Sequence, residues 1–66
     1  MSEHVPIKVV PTVITERAVL CILVDDPDEP VWIPKSCIYE GDLDYLELNE
    51  MCEVNVAEWF AEQEGL

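Results

Sequence analysis

An apolar run of strand length, followed directly by a turn rich in Asp and Pro, constrains the fold of this chain most. The run spans residues 17–24 and reads R-A-V-L-C-I-L-V. A continuous apolar run of this length is typical of a strand that is covered on both faces or central in a sheet. The turn formers D-D-P-D-E-P occupy residues 25–30, and V-W-I-P follows at 31–34. Two apolar runs around a polar turn predict a β-hairpin with a longer loop.

The segment before this hairpin is rich in β-branched residues but contains two prolines. Residues 5–15 read V-P-I-K-V-V-P-T-V-I-T, with Pro6 and Pro11 inside the run. Because proline cannot donate a ladder hydrogen bond, we predict that residues 1–15 form an edge strand or an extended arm.

The segment after the hairpin carries weaker signals. Residues 34–39 predict a short helical turn or a bend, and residues 40–42 predict another turn. Residues 43–49 are ambiguous between strand and helical turn, and we favour a strand over Tyr45–Leu48. Alternating apolar residues at Cys52, Val54 and Val56 predict a half-buried strand.

The C-terminal segment, residues 55–66, predicts a helix. Asn55 is a suitable N-cap, and Glu58 three residues later completes a pattern like a capping box. Gly65 suits the C′ position, with Leu66 folding back onto the last turn. One predicted helix face, which we expect to place both aromatic residues against the core, carries Val56, Trp59, Phe60 and Gln63.

These elements predict an α+β fold in one domain over residues 1–66: an antiparallel sheet of three to four strands with one C-terminal helix packed on it. We expect Trp32 in the core, with an interface position as the alternative. The three cysteines, Cys21, Cys37 and Cys52, follow no CxxC pattern and are expected to be small core residues.

The formal net charge is -12, which comes from 15 Asp and Glu against 3 Lys and Arg. Small soluble domains usually carry a net charge of magnitude about 2–8. Residues 1–24 are neutral overall, so the whole excess lies in residues 25–66. Solubility alone would predict dispersed charge, whereas binding to a basic partner predicts this concentration. A solvated acidic face without a partner is the alternative interpretation.

Three acidic clusters are the candidate partner-binding sites. An extended segment would place Asp42 and Asp44 on one face, about 6.5–7 Å apart. Rows of carboxylates at such spacing could imitate the phosphates of one DNA strand and pair with Lys and Arg in a DNA-binding groove. The candidate residues are Asp25, Asp26, Asp28 and Glu29 in the turn, Asp42 and Asp44, and Glu58, Glu62 and Glu64 in the helix.

Several other functions find little support in the sequence. Direct binding to nucleic acid or to an anionic membrane is disfavoured because both are anions. No apolar run reaches the roughly 18 residues that a membrane span needs, and the start M-S-E-H lacks the pattern of a secretory signal, so we expect a cytoplasmic protein. An EF-hand loop starting at Asp26 would require Gly and Glu where Val31 and Cys37 stand, so we predict no metal and no cofactor. We predict no enzymatic activity, because the single histidine, His4, lies in a terminus that we expect to be frayed.

Two sequence blocks carry a resemblance to known proteins. The blocks W-I-P-K-S-x-I at residues 32–38 and W-x-A-x-x-x-G-L at residues 59–66 resemble those of small phage-encoded proteins, over residues 17–66. In size, acidity and overall texture the chain also resembles anti-CRISPR proteins of the type I-C kind. That resemblance implies a DNA mimic that binds the large Cas8 subunit of the Cascade complex and blocks recognition of the protospacer-adjacent motif. It implies no catalytic residues.

The predicted function is therefore that of a phage-encoded inhibitor. It would act as a monomer in the host bacterial cytoplasm and occupy a basic DNA-binding surface of a defence protein. The alternative is a phage accessory module that binds a replication or recombination protein through an apolar patch near Trp32.

Overall fold

Four antiparallel strands and one short helix make up the computed structural model, which describes residues 3–66. The first two residues of the predicted arm lie outside the described residues. The strands have the order β3-β2-β1-β4 in one sheet. This arrangement confirms the predicted α+β fold with a C-terminal helix. The elements are β1 (His4–Ile14), β2 (Ala18–Leu23), β3 (Val31–Pro34), two 3-10 helices (Lys35–Cys37 and Glu40–Tyr45), β4 (Cys52–Ala57) and α1 (Glu58–Glu64).

The predicted hairpin is confirmed. Strands β2 and β3 pair antiparallel, with Val19 opposite Ile33 and Cys21 opposite Val31. The acidic turn formers connect them as an exposed loop. Of the short helical turn or bend predicted over residues 34–39, the helical turn is observed, as the 3-10 helix Lys35–Cys37.

Strand β1 is interior to the sheet, so the prediction of an edge strand or extended arm is wrong. Its first half pairs with β4 up to Val9, and its second half pairs with β2 from Val9 onward. The N–H and C=O of a strand residue point to the same side. The carbonyl of Pro11 accepts a hydrogen bond from the N–H of Asn49 (2.7 Å), on the side where β4 has already ended.

Pro6 is tolerated in β1 for the same reason. The carbonyl of Lys8 accepts from the N–H of Val24 (3.2 Å), so even-numbered residues of this half point towards β2. Strand β2 ends opposite Val9, so Pro6 points to a side where it has no strand partner. Each proline therefore directs its missing donor away from the strand with which it pairs, and neither removes a ladder hydrogen bond.

The strand predicted over Tyr45–Leu48 is absent. Tyr45 ends the second 3-10 helix, and the chain then turns through Asn49, which has a φ of 63°. Asn tolerates this left-handed conformation better than most residues do. The turn is fixed by the hydrogen bond from Asn49 to Pro11.

The predicted strand around Cys52, Val54 and Val56 is confirmed as β4, but it extends to Ala57 and delays the helix. Asn55 lies opposite Pro6 within the ladder, so the prediction that it caps the helix is wrong. Helix α1 begins at Glu58 and has no side-chain cap; the Glu58 N–H donates instead to the carbonyl of Glu3 (2.9 Å).

The end of α1 confirms the prediction made for Gly65 and Leu66. Gly65 has a φ of 72°, in the left-handed region that favours glycine. The Leu66 N–H donates to the carbonyl of Ala61 (2.8 Å), and the Gly65 N–H donates to that of Glu62 (3.3 Å). These two bonds form a Schellman motif, which brings Leu66 back against the core.

The core lies on one face of the sheet, where α1 and the 3-10 segments cover it. Phe60 and Ala61 of α1 face the core, which confirms the predicted position of Phe60, whereas Trp59 is 60% exposed, so its predicted core position is wrong. Trp32 is 50% exposed on the other face, so its predicted core position is also wrong. The buried core residues are Val9, Val19, Cys21, Ile33, Cys37, Ile38, Val54, Val56, Ala57, Phe60 and Ala61.

Candidate functional site

A groove of about 670 Å³ lies between the β2–β3 loop and helix α1. It brings together two of the three predicted acidic clusters, although the loop and the helix are about thirty residues apart in the chain. We call it the acidic groove. Its carboxylates come from Asp25, Asp26 and Glu29 in the loop, Glu58, Glu62 and Glu64 in the helix, and Glu53 in β4.

The loop side of the groove is shaped by local hydrogen bonds and prolines. The N–H of Asp26 donates to the carbonyl of Leu23 (3.2 Å), which turns the chain at the end of β2. Pro27 and Pro30 restrict φ within the loop. All residues of the loop are exposed, so its carboxylates are free to meet a partner.

The helix side crowds like charges. A side-chain hydrogen bond with Glu3 raises the pKa of Glu58, and repulsion from Glu3 and Glu62 raises it further. Glu58 and Glu62 stand four residues apart in α1, and this i, i+4 spacing places two like charges next to each other on the helix surface. The helix therefore holds its carboxylates together at a cost to its own stability.

Sequence reasoning missed Glu53, Lys8 and the apolar floor of the groove. Lys8 lies opposite Glu53 in the β1–β4 ladder. Among the described residues that line the groove, Lys8 is the one basic residue. The period-two alternation of β4 could have placed Glu53 on the strand, but only the sheet order shows that it reaches the groove. The groove floor, which consists of half-buried apolar side chains, is formed by Val5, Ile7, Leu23, Val31 and Leu66.

The predicted pair Asp42 and Asp44 lies outside this groove. Both residues belong to the 3-10 helix Glu40–Tyr45, so the prediction that they share one face of an extended segment is wrong. The Asp42 carboxylate accepts hydrogen bonds from the backbone N–H (2.8 Å) and the side-chain Nδ2 (3.1 Å) of Asn55. Asp42 thus fastens the 3-10 helix to β4. Asp44 is exposed, and Asp28 is an exposed loop residue that does not line the groove.

The three cysteines are free thiols. Burial, and to a lesser degree the nearby Cys52 thiol, raises the pKa of Cys21 to about 11. Burial raises the pKa of Cys52, and repulsion from Asp42 and Glu47 raises it further. Both thiols therefore stay protonated at neutral pH, which makes them weak nucleophiles. The buried positions of Cys21 and Cys37 confirm that they are core residues, while Cys52 is half-buried.

His4, expected in a frayed terminus, is instead the first residue of β1 and pairs with Ala57. Its ring packs edge-to-face on Tyr39, with centroids 5.8 Å apart. In residues 3–66 no group of three or more His, Cys, Asp or Glu side chains is placed to hold a metal ion.

A second candidate surface lies on the sheet face opposite the core. Trp32 neighbours Leu20 on this face, and Leu20 in turn lies opposite Val13, which is 41% exposed. Val10 and Ile22 extend the row, and each is half-buried. We call these five side chains the Trp32 patch.

Comparisons with known proteins identify no relative: no protein-family model, curated protein or solved structure matches the chain. The resemblance to anti-CRISPR proteins therefore stays a prediction. Within the described part of the chain, no helix has the length and apolar character to cross a membrane.

Proposed function

We propose that this chain binds a basic DNA-binding surface of another protein and blocks it, in the manner of an acidic DNA mimic. The observation that carries this proposal is the convergence of the loop and helix carboxylates on one groove. Within residues 3–66, seven carboxylates and a single lysine line it. A surface with this charge balance repels nucleic acid and attracts clustered Lys and Arg.

The crowding of the carboxylates supports the same conclusion. A side-chain hydrogen bond with Glu3, and then repulsion from Glu3 and Glu62, raise the pKa of Glu58, so the ionised carboxylates repel one another on the helix side of the groove. A cationic partner would relieve this repulsion, so binding gains from what folding has to overcome. Association of this kind is fast at low salt and weakens steeply as ionic strength rises.

The target is the more specific part of the proposal. The resemblance to type I-C anti-CRISPR proteins points to the Cas8 subunit of Cascade, in a bacterial host cytoplasm, as the surface to test first. The proposed inhibitor would occupy the Lys and Arg side chains that otherwise contact target DNA, and it would perform no catalysis.

Charge reversal tests the proposal. We would measure inhibition of DNA binding by a type I-C Cascade at about 0.05 and 0.5 M salt. The unmodified chain should inhibit at the lower salt concentration and much less at the higher one, whereas the groove variant D26K/E29K/E62K/E64K should lose inhibition already at the lower one. The control E40K/D44K/E47K/E50K makes the same change in net charge outside the groove and should retain most of it. Full inhibition by the groove variant would overturn the electrostatic mechanism.

The exposure of the Trp32 patch favours a second candidate function. A phage accessory module could bind a replication or recombination protein through this apolar face. In that case Trp32→Ala abolishes binding while the groove variant is tolerated. Trp59→Ala is the matched control, since Trp59 is also exposed but lies on α1.

A further inference from the structure

The acidic groove is concave and has an apolar floor, and a surface that only imitated DNA would need neither property. Val5 and Ile7 of β1 point into it from the covered face of the sheet, beside Leu23 and Val31 at the loop end of the β2–β3 hairpin. Leu66, folded back by the Schellman motif, closes the floor on the helix side. All five side chains are half-buried, so each still has apolar surface to bury.

We propose that the acidic groove receives a protruding segment of the partner that carries Lys or Arg together with aliphatic side chains. This inference rests on the proposed function and makes its partner more specific. A flat or concave phosphate-binding surface would meet the rim carboxylates but would leave the groove floor in contact with water. A protruding segment would contact both the carboxylates and the apolar floor.

Lys and Arg side chains suit a groove that has an apolar floor and carboxylates along its edges. Lys and Arg have long aliphatic stems that pack on apolar surface while the charged group stays at the edge. In this groove the stems would lie on the floor between β1 and Leu66, and the cationic groups would reach Glu62 and Glu64 on one side or Asp26 on the other. Aliphatic neighbours in the segment would add buried apolar area, at about 25 cal/mol per Å².

Recognition proceeds through side chains rather than by adding a strand to the sheet. The edge of β1 that borders the groove includes Pro6, which has no N–H to donate. The carbonyl of Lys8 on the same edge is already bonded to Val24. An added strand would therefore find few backbone partners there.

Two short peptides test the inference without the partner protein. The probe is acetyl-Arg-Leu-Arg-Leu-Arg-Leu-amide, and the control, acetyl-Arg-Ser-Arg-Ser-Arg-Ser-amide, has the same charge. In calorimetric titration at about 0.15 M salt, we expect the Leu peptide to bind roughly tenfold more tightly than the Ser peptide, or more tightly still. Amide shifts in NMR spectra should change at Ile7, Leu23 and Val31. Equal affinity of the two peptides, or shifts outside the groove, would overturn the inference.

Matched variants separate the groove from general acidity. E62Q/E64Q should weaken binding of the Leu peptide about three- to tenfold. E40Q/D44N removes the same charge from another exposed helical segment and should change it less than about twofold. Equal losses would contradict a specific site. Failure of the proposed function would appear differently, as a lack of inhibition of Cascade by the unmodified chain.

Discussion

Glu58 shows how a single residue links stability to the candidate site. It begins helix α1, donates its N–H to Glu3, and places its carboxylate beside those of Glu3 and Glu62. A carboxyl group whose pKa is higher in the folded state than in the unfolded state binds its proton more tightly when folded. Its contribution to stability is therefore fully present below its ordinary pKa of 4.5 and is lost as the pH rises through the raised pKa.

The raised pKa of Glu58 leads to a prediction for Glu58→Gln. The variant should be more stable than the unmodified chain at pH 7, because it keeps a polar side chain and removes the repulsion. The advantage should shrink as the pH falls towards 4.5. Urea unfolding across this pH range measures it, and Glu16→Gln is the control because it makes the same change at an exposed carboxylate outside the helix.

A second prediction concerns the two adjacent aromatic residues of α1. Phe60 is 7% exposed and Trp59 is 60% exposed. Phe60→Ala should lower the free energy of unfolding by about 3 kcal/mol, as removal of a buried aromatic ring does. Trp59→Ala should cost less than about 1 kcal/mol, because the Trp59 side chain is mostly exposed and its ring contacts that of Phe60 in an edge-to-face arrangement. Comparable losses in urea unfolding would contradict the helix register described above.

At the scale of elements, Asp42 connects the second 3-10 helix to β4. One carboxylate oxygen accepts both donors of Asn55, on the β4 edge that faces away from β1. The carbonyl of Asn55 on the same edge accepts from the N–H of Tyr39 (2.7 Å), so the segment before the helix covers the strand. Asp42 therefore belongs to the architecture of the sheet edge.

Asp42→Ala should lower the free energy of unfolding by about 1 kcal/mol, since it leaves the Asn55 donors without their carboxylate. Amide exchange at Asn55 should accelerate in the same variant. Asp44→Ala removes an equal charge two residues away, and its effect should stay within about 0.5 kcal/mol. If both variants behave alike, the hydrogen bonds to Asn55 contribute nothing to stability.

The sequence predicted the elements whose signals are local, and it failed where the outcome depends on the order of strands. The hairpin, the alternation of β4 and the glycine end of α1 each follow from neighbouring residues. The interior position of β1 does not, because Pro6 and Pro11 are tolerated only where β2 and β4 respectively are absent. The start of α1 was misplaced for a related reason: pairing with β1 holds Asn55 in a strand. The acidic groove was foreseen as two separate clusters, since sheet topology alone joins loop to helix.

At the scale of the whole molecule, charge and apolar surface are distributed unequally. The sheet face that bears the Trp32 patch is built mainly from β1 and β2, which come from the neutral first 24 residues. The acidic groove draws its carboxylates from the remainder of the chain. The molecule therefore presents two chemically different surfaces, and the variants described above can alter one without altering the other.

The uneven charge predicts an unusual salt dependence of stability. Like charges that repel in the folded state are screened by salt, with a Debye length of about 30 Å at 0.01 M and about 8 Å at 0.15 M. The urea midpoint of unfolding should therefore rise between these salt concentrations, because urea itself is uncharged and does not screen. Urea unfolding in a series of sodium chloride concentrations measures whether the midpoint rises.

Since part of the repulsion is concentrated at Glu58 and Glu62, E58Q/E62Q should raise the midpoint at low salt and flatten its salt dependence. The control E40Q/D44N makes the same change in net charge and should flatten it less. Equal flattening would mean that stability responds to total charge alone, and the groove would then hold no special share of the repulsion.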